Sequence, residues 1–229
     1  MEMLTSTNFF GIGLTLVAYM IGLFIRKKAN SSILNPLLIS NVLVIVVLLA
    51  TKTEYSTYMM GGQYLTYLLT PATVCLAVPL YEKLNVLKSN LKAIMIGTLA
   101  GVITMLTMAL VFSILFGFSH NEYVSILGKS ITSPIGIGLS EELGGNPAVT
   151  VALIVITGIF GNMIAEPMVK LLNLKSPVAK GIAIGTSSHV IGTTKALEMG
   201  EIEGAMSSLA ITIAGLMTVI AASFYAGIY

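Results

Sequence analysis

Residues 93–118 read AIMIGTLAGVITMLTMALVFSILFGF, 26 consecutive positions without a charge. A helix rises about 1.5 Å per residue, and the hydrocarbon core of a bilayer is about 30 Å thick. This stretch is therefore long enough to cross a membrane. It is too long and too uniformly apolar for one face of a soluble helix. The rest of the chain agrees with it. Of 229 residues, 55% are hydrophobic and 10% charged, whereas soluble domains carry about 25% charged residues. The fold class that follows is an all-α integral membrane protein.

Working outward, uncharged runs recur at Leu4–Ile25, Ile33–Thr51, Ala148–Ala165 and Gly204–Tyr229. A fifth, Tyr55–Tyr81, is interrupted by Gly61, Gly62, Pro71 and Pro79. Two more, Ser130–Ser140 and Gly181–Thr194, are too short to cross alone and are rich in Gly, Ser and Thr. Irregular backbone survives at membrane depth only where protein or a watery cavity lines it. These two segments are expected to be discontinuous or re-entrant helices, giving about six to eight membrane segments in a single transmembrane domain. The charges Arg26, Lys27 and Lys28 follow the first apolar run, the reverse of a secretory signal, so that run reads as a retained helix.

Lys and Arg favour the cytoplasmic side. Arg26–Lys28 places the first loop inside, and Lys83, Lys88 and Lys92 mark a second inside loop. The loop around His120 and Glu122 then falls outside. Lys170, Lys175 and Lys180 also want the cytoplasm, which requires Ser130–Ser140 to turn back rather than cross. An offset of 116 residues superposes Ile33–Thr51 on 149–167 and Thr70–Glu82 on Thr186–Glu198. This suggests a two-fold internal repeat with halves 1–115 and 116–229. Paired interrupted segments are a signature of secondary transporters, whose broken helices meet near the midplane.

Composition excludes several function classes. There is no Asp, one Arg, one Cys (Cys75) and two His. That set offers neither a metal centre nor a Ser-His-Asp triad, so no enzyme and no cofactor are expected. No basic block suits nucleic acid, and no G-x-x-x-x-G-K-[ST] loop is present for ATP drive.

Five stretches, in order, resemble the LrgB/CidB family of bacterial membrane proteins, to which the C-terminal half of the plastid glycolate/glycerate translocator is related. They are Leu69–Tyr81 (LTPATVCLAVPLY), Lys129–Pro134 (KSITSP), Glu142–Gly145 (ELGG), Gly185–His189 (GTSSH) with Gly192-Thr193, and Glu203–Ser208 (EGAMSS). Thr70 departs from the Gly expected before Pro71. The resemblance implies a bacterial inner-membrane, multi-pass protein that moves small monocarboxylates such as glycolate, glycerate, pyruvate or lactate. It also implies a link to holin-like behaviour, murein hydrolase control and cell lysis, with an LrgA/CidA-type membrane partner.

A carboxylate at membrane depth needs compensating donors. With Arg confined to position 26, these are Lys, His, hydroxyls and helix N-termini. The candidates are Thr70, Pro71 and Thr73 at the first break; Lys129, Ser130, Thr132 and Ser133 at the second; and Ser187, Ser188, His189 and Thr193 at the third. His189 is the candidate for coupling to a proton. Each has a structural alternative: Lys129 can snorkel, Thr132 and Ser133 can simply cap a helix, and His189 can be a hydrogen-bonded packing residue. Asn162 reads as interhelical glue. Glu198, Glu201 and Glu203 read as a solvated first turn of the last helix. Apolar, Gly-bearing spans suit a homodimer. A holin-like or regulatory component working by assembly is the competing function.

Overall fold

The computed structural model describes residues 9–29, 36–68, 71, 75, 81–82 and 84–229. The described residues are helical and turn, with no strand among them. The chain is an all-α integral membrane protein. Four helices are long and apolar enough to span: Phe9–Lys28, Leu91–Phe116, Pro147–Leu171 and Glu201–Ala226.

The chain divides into two compact units, residues 1–76 and 77–229. The first contains α1 (Phe9–Ala29), α2 (Pro36–Thr51) and α3 (Tyr55–Tyr67). The last turn of α1 holds Arg26, Lys27 and Lys28, at the negative end of the helix dipole. The Thr15 and Tyr58 hydroxyls share a 2.7 Å hydrogen bond between α1 and α3. Thr70 and Thr73, and most of the Leu69–Tyr81 motif, lie outside the described residues. Pro71 is helical and exposed.

The second unit contains α4 (Leu84–Ser89), α5 (Leu91–Phe116), α6 (His120–Leu127), α7 (Ser133–Glu142), α8 (Pro147–Leu171), α9 (Pro177–Met199) and α10 (Glu201–Ala226). Helices α6 and α7 form a re-entrant hairpin. Ser119 caps α6 in a reciprocal box with Glu122. Asn121 Nδ2 at its start donates to the carbonyl of Gly144, beyond the end of α7, at 2.6 Å. Ser125 Oγ accepts from Asn146 N at 2.7 Å. Nearer the tip, a Cβ on Gly128 would lie 3.2 Å from Gly136 Cα. The two arms therefore run antiparallel, and the segment enters and leaves on one side. Ser130–Ser140 thus turns back, as the lysine distribution requires. Tyr123, Val124, Leu127 and Ile131 are fully buried against Leu106, Ala109 and Ala214, so this hairpin fills the middle of the unit.

Helix α9 is a second hairpin, entering from the opposite side. Its backbone breaks at His189, with φ 43° and ψ −144°. The two arms pass the same stretch of α10 in opposite directions. Gly181 and Gly185 meet Glu203 and Ser207 in turn, whereas Thr193 meets Ser207 and Leu197 meets Gly204. A Cβ on Gly181 would sit 2.5 Å from the Glu203 carbonyl oxygen, so only glycine permits this approach of backbones.

The ends sort by charge. Lys170, Lys175, Lys180 and Lys195 gather where α8 and α9 end and α10 begins, with Lys88 at the end of α4 and Lys92 at the start of α5. The other end carries Glu122, Glu141 and Glu142. The positive-inside bias predicts this lysine-rich end for the inner side of the membrane. Helix α8 corrects the expected span: it does not stop at Ala165 but continues through Glu166 and Pro167 to Leu171. The Glu166–Lys170 pair at 2.9 Å ties the final turn across the proline.

Candidate functional site

The two hairpin tips converge on the middle of α8. Gly158 lies eleven residues into that helix, about 17 Å from its start and near the bilayer midplane. His189 is 3% exposed. Its Nε2 donates to the Ile154 carbonyl of α8 at 2.8 Å, which leaves Nδ1 as the second ring nitrogen when the ring is neutral. A Cβ on Gly158 would lie 2.5 Å from His189 Cε1, so α8 is notched to receive the ring.

Lys129 sits at the tip of the α6–α7 hairpin. It is half-buried, and its Nζ donates to Ser130 Oγ at 3.4 Å. Ser187 and Ser188, on the last turn before the break in α9, share a 3.0 Å hydroxyl bond. Lys129, Ser187, Ser188 and Gly161 line one cavity of about 510 Å³, which extends past Ile164 and Met168 to Leu172 and Leu174 at the lysine-rich end. Its walls are mostly apolar, and its charged group stands at the inner limit.

The sequence-selected residues divide accordingly. Lys129, Ser187 and Ser188 share that cavity. Ser130 is buried directly behind Lys129. Thr132 takes the N-cap position of α7 without a side-chain capping bond, and Ser133 begins the helix ahead of Pro134. The N-terminus of α7 therefore points at the tip region, where its N–H groups favour negative charge. Thr193 faces away. Its hydroxyl donates to the His189 carbonyl at 3.0 Å and shares a 2.7 Å bond with Ser207, holding the second arm of α9 to α10.

Two features needed the structure. The first is an ion-pair cluster at the lysine-rich end. Lys195, 9% exposed, lies 3.0 Å from Glu166 and 3.3 Å from Glu198. Lys180 lies 3.5 Å from Glu203. Glu203 is therefore not the solvated first-turn residue expected from sequence; it is 7% exposed because α9 folds back over the start of α10. These pairs tie both arms of the α9 hairpin to α8 and α10. The second is Thr186, buried one turn before the break, whose hydroxyl has no hydrogen-bond partner. Asn162 behaves as interhelical glue: its Nδ2 donates to the Ile191 carbonyl at 2.8 Å and to Thr194 Oγ1 at 3.0 Å. No group of three or more metal-ligating side chains occurs among the described residues.

Residues 15–228 match the LrgB-like family. The chain belongs to the LrgB family. Holin-like protein CidB of Staphylococcus epidermidis is 38% identical to this LrgB-family chain over 207 residues, 90% of each. Holin-like protein CidB of Staphylococcus aureus shows the same identity and coverage. The Bacillus subtilis protein YxaC is 36% identical over 204 residues, 89% of each. No solved structure matches. Family membership and the four spans make this a multi-pass membrane protein.

Proposed function

We propose that this LrgB-family chain is a holin-like component of a bacterial cytoplasmic membrane, altering passage across it and thereby murein hydrolase activity and lysis. The observation that carries this reading is its 38% identity to holin-like CidB over 90% of both chains. Assembly with itself and with a small LrgA/CidA-type membrane protein belongs to the same reading. The test is controlled expression and deletion in the source bacterium, with autolysis rate and zymogram activity as readouts. Altered lysis that tracks the folded protein supports it. Unchanged lysis and hydrolase activity in both strains overturn it.

A second reading has its own support. Two re-entrant tips meet at mid-depth, bringing an amine and two hydroxyls to the inner end of one cavity. That donor set suits the carboxylate of a small organic anion, moved as a secondary transporter moves its substrate. His189 would then hold the tip through Ile154 and carry any coupled proton on Nδ1. Uptake of labelled pyruvate and glycolate into proteoliposomes tests this reading. Saturable uptake lost in Lys129→Ala supports it, and uptake no greater than in empty liposomes overturns it.

A further inference from the structure

The two hairpins repeat one pattern. Ser119, Gly128, Ser130 and Glu141 recur, each 57 residues later, as Ser176, Gly185, Ser187 and Glu198. The first and last sets occupy equivalent places. Ser119 is the N-cap of α6 and Ser176 the N-cap of α9, and both side chains make the capping bond. Gly128-x-Ser130 and Gly185-x-Ser187 lie at the two tips. Upstream, the long spans α5 and α8 start after Asn90 and Asn146 and have 26 and 25 residues. Gly101 on α5 and Gly158 on α8, also 57 apart, are both notches for the α9 tip: the first faces Thr186, the second His189. Each copy is thus a span followed by a two-armed hairpin. The copies enter from opposite ends, so the repeat is inverted.

The copies share this order of elements and differ in present conformation. The cavity runs from Lys129 and Ser187 along α8 to Leu172 and Leu174 at the lysine-rich end. Its wall includes Gly161, and the 57-residue counterpart of Gly161 is Thr104. The counterpart of Ser187 is Ser130, which is buried, and the counterpart of Lys129 is Thr186, which is buried with an unpartnered hydroxyl. We propose that residues 91–142 and 147–199 exchange conformations, giving a second state in which Thr104, Ser130 and Thr186 line a groove open to the opposite side of the membrane. Inverted repeats that trade conformations around a central site are a means of alternating access. The orphaned Thr186 hydroxyl gains its role there, facing the groove as Lys129 now does. The inference rests on the transport reading above for its purpose, not for its geometry.

The test is thiol accessibility in right-side-out membrane vesicles, with Cys75→Ser removing the native thiol. Single cysteines are placed at Ser130, Thr186 and Thr104, and a charged, membrane-impermeant thiosulfonate is added outside. Thr104 is exposed on α5, so Thr104→Cys leaves packing intact even where the buried variants fail to fold. A thiol facing lipid does not form the reactive thiolate, so labelling there requires an aqueous groove. The expected result is labelling of Thr104→Cys, with that of Ser130→Cys and Thr186→Cys wherever those fold. Ser187→Cys is labelled only when reagent has access to the inside. Absence of outside labelling at Thr104→Cys, with Ser187→Cys reactive from the inside, overturns the exchange. Pyruvate uptake measured in parallel separates the two ideas: labelling without uptake keeps the exchange and removes the transport reading, and uptake without labelling does the reverse.

Discussion

Replacing His189 with Gly will cost less stability than replacing it with Ala. In an ordinary helix the order is opposite, with Gly worse by about 1 kcal/mol. Here φ is 43° and ψ −144°, a backbone state that L-residues adopt at a cost on the order of 1–3 kcal/mol. Glycine is free of that cost, and alanine retains it. Both variants lose the 2.8 Å bond to the Ile154 carbonyl, about 1 kcal/mol, and both lose the packing of the ring against Gly158. Those losses cancel in the comparison. Glycine forfeits up to about 1 kcal/mol to the entropy of the unfolded chain. The difference remaining favours glycine by roughly 1 kcal/mol. For a chain of this length that is about 2–4 °C in melting temperature. The assay is thermal unfolding of the purified variants in one detergent, followed by loss of monodisperse protein. An alanine variant that melts at or above the glycine variant refutes the claim that the tip is strained.

Gly158→Ala drives a methyl to within 2.5 Å of His189 Cε1 and 2.9 Å of Ile191 Cβ; melting in detergent should report a loss of about 1–3 kcal/mol, and His189→Gly in the same chain should recover part of it. Asn162→Ala removes the bonds to Ile191 and Thr194, and the same assay should show about 1 kcal/mol lost. Glu122 accepts from the Ser119 backbone N–H first and its hydroxyl second, which holds its pKa below the usual carboxylate value. Its depressed folded-state pKa gives stability that is present above the unfolded pKa and is lost as pH falls through the folded one. Glu122→Gln keeps the cap geometry and should flatten that acid-side dependence in a melting series across pH.

Hydropathy exposed the long spans because a bilayer sets a length that composition must meet. It also marked Ser130–Ser140 and Gly181–Thr194 as different in kind, since each is apolar, short and rich in small polar residues. The turning point within them was less legible. The break in α9 falls on His189, while backbone preference points to a neighbouring glycine; the deciding partner is the Ile154 carbonyl, 35 residues away in sequence. Pairings at the lysine-rich end were invisible for the same reason. Nothing local says that Glu203 meets Lys180, or that Lys195 reaches Glu166. Thr193 and Ser188 looked alike as hydroxyls near a histidine, but helical phase separates them: Ser188 faces α8 at Gly161, and Thr193 faces Ser207 on α10.

The position of charge links the fold to either function. Among the described residues, every lysine of the second unit except Lys129 lies near the lysine-rich end, and the paired ones there hold the arms of the α9 hairpin. Lys129 alone stands at mid-depth, where an amine is expensive and is kept near helix ends or against partners. Among the described residues it bonds the adjacent serine, and its side chain opens on a cavity that reaches the lysine-rich end. A component that acted only by packing against other subunits would gain nothing from this placement, and Lys129→Met would then leave its lysis phenotype unchanged or improve its stability by removing a desolvated charge. A component that acts by conducting an anion loses that action in Lys129→Met while its stability holds or rises. Measuring stability and activity in the same variant therefore decides between assembly and passage: a gain in melting temperature with function retained points to assembly, and the same gain with function lost points to passage.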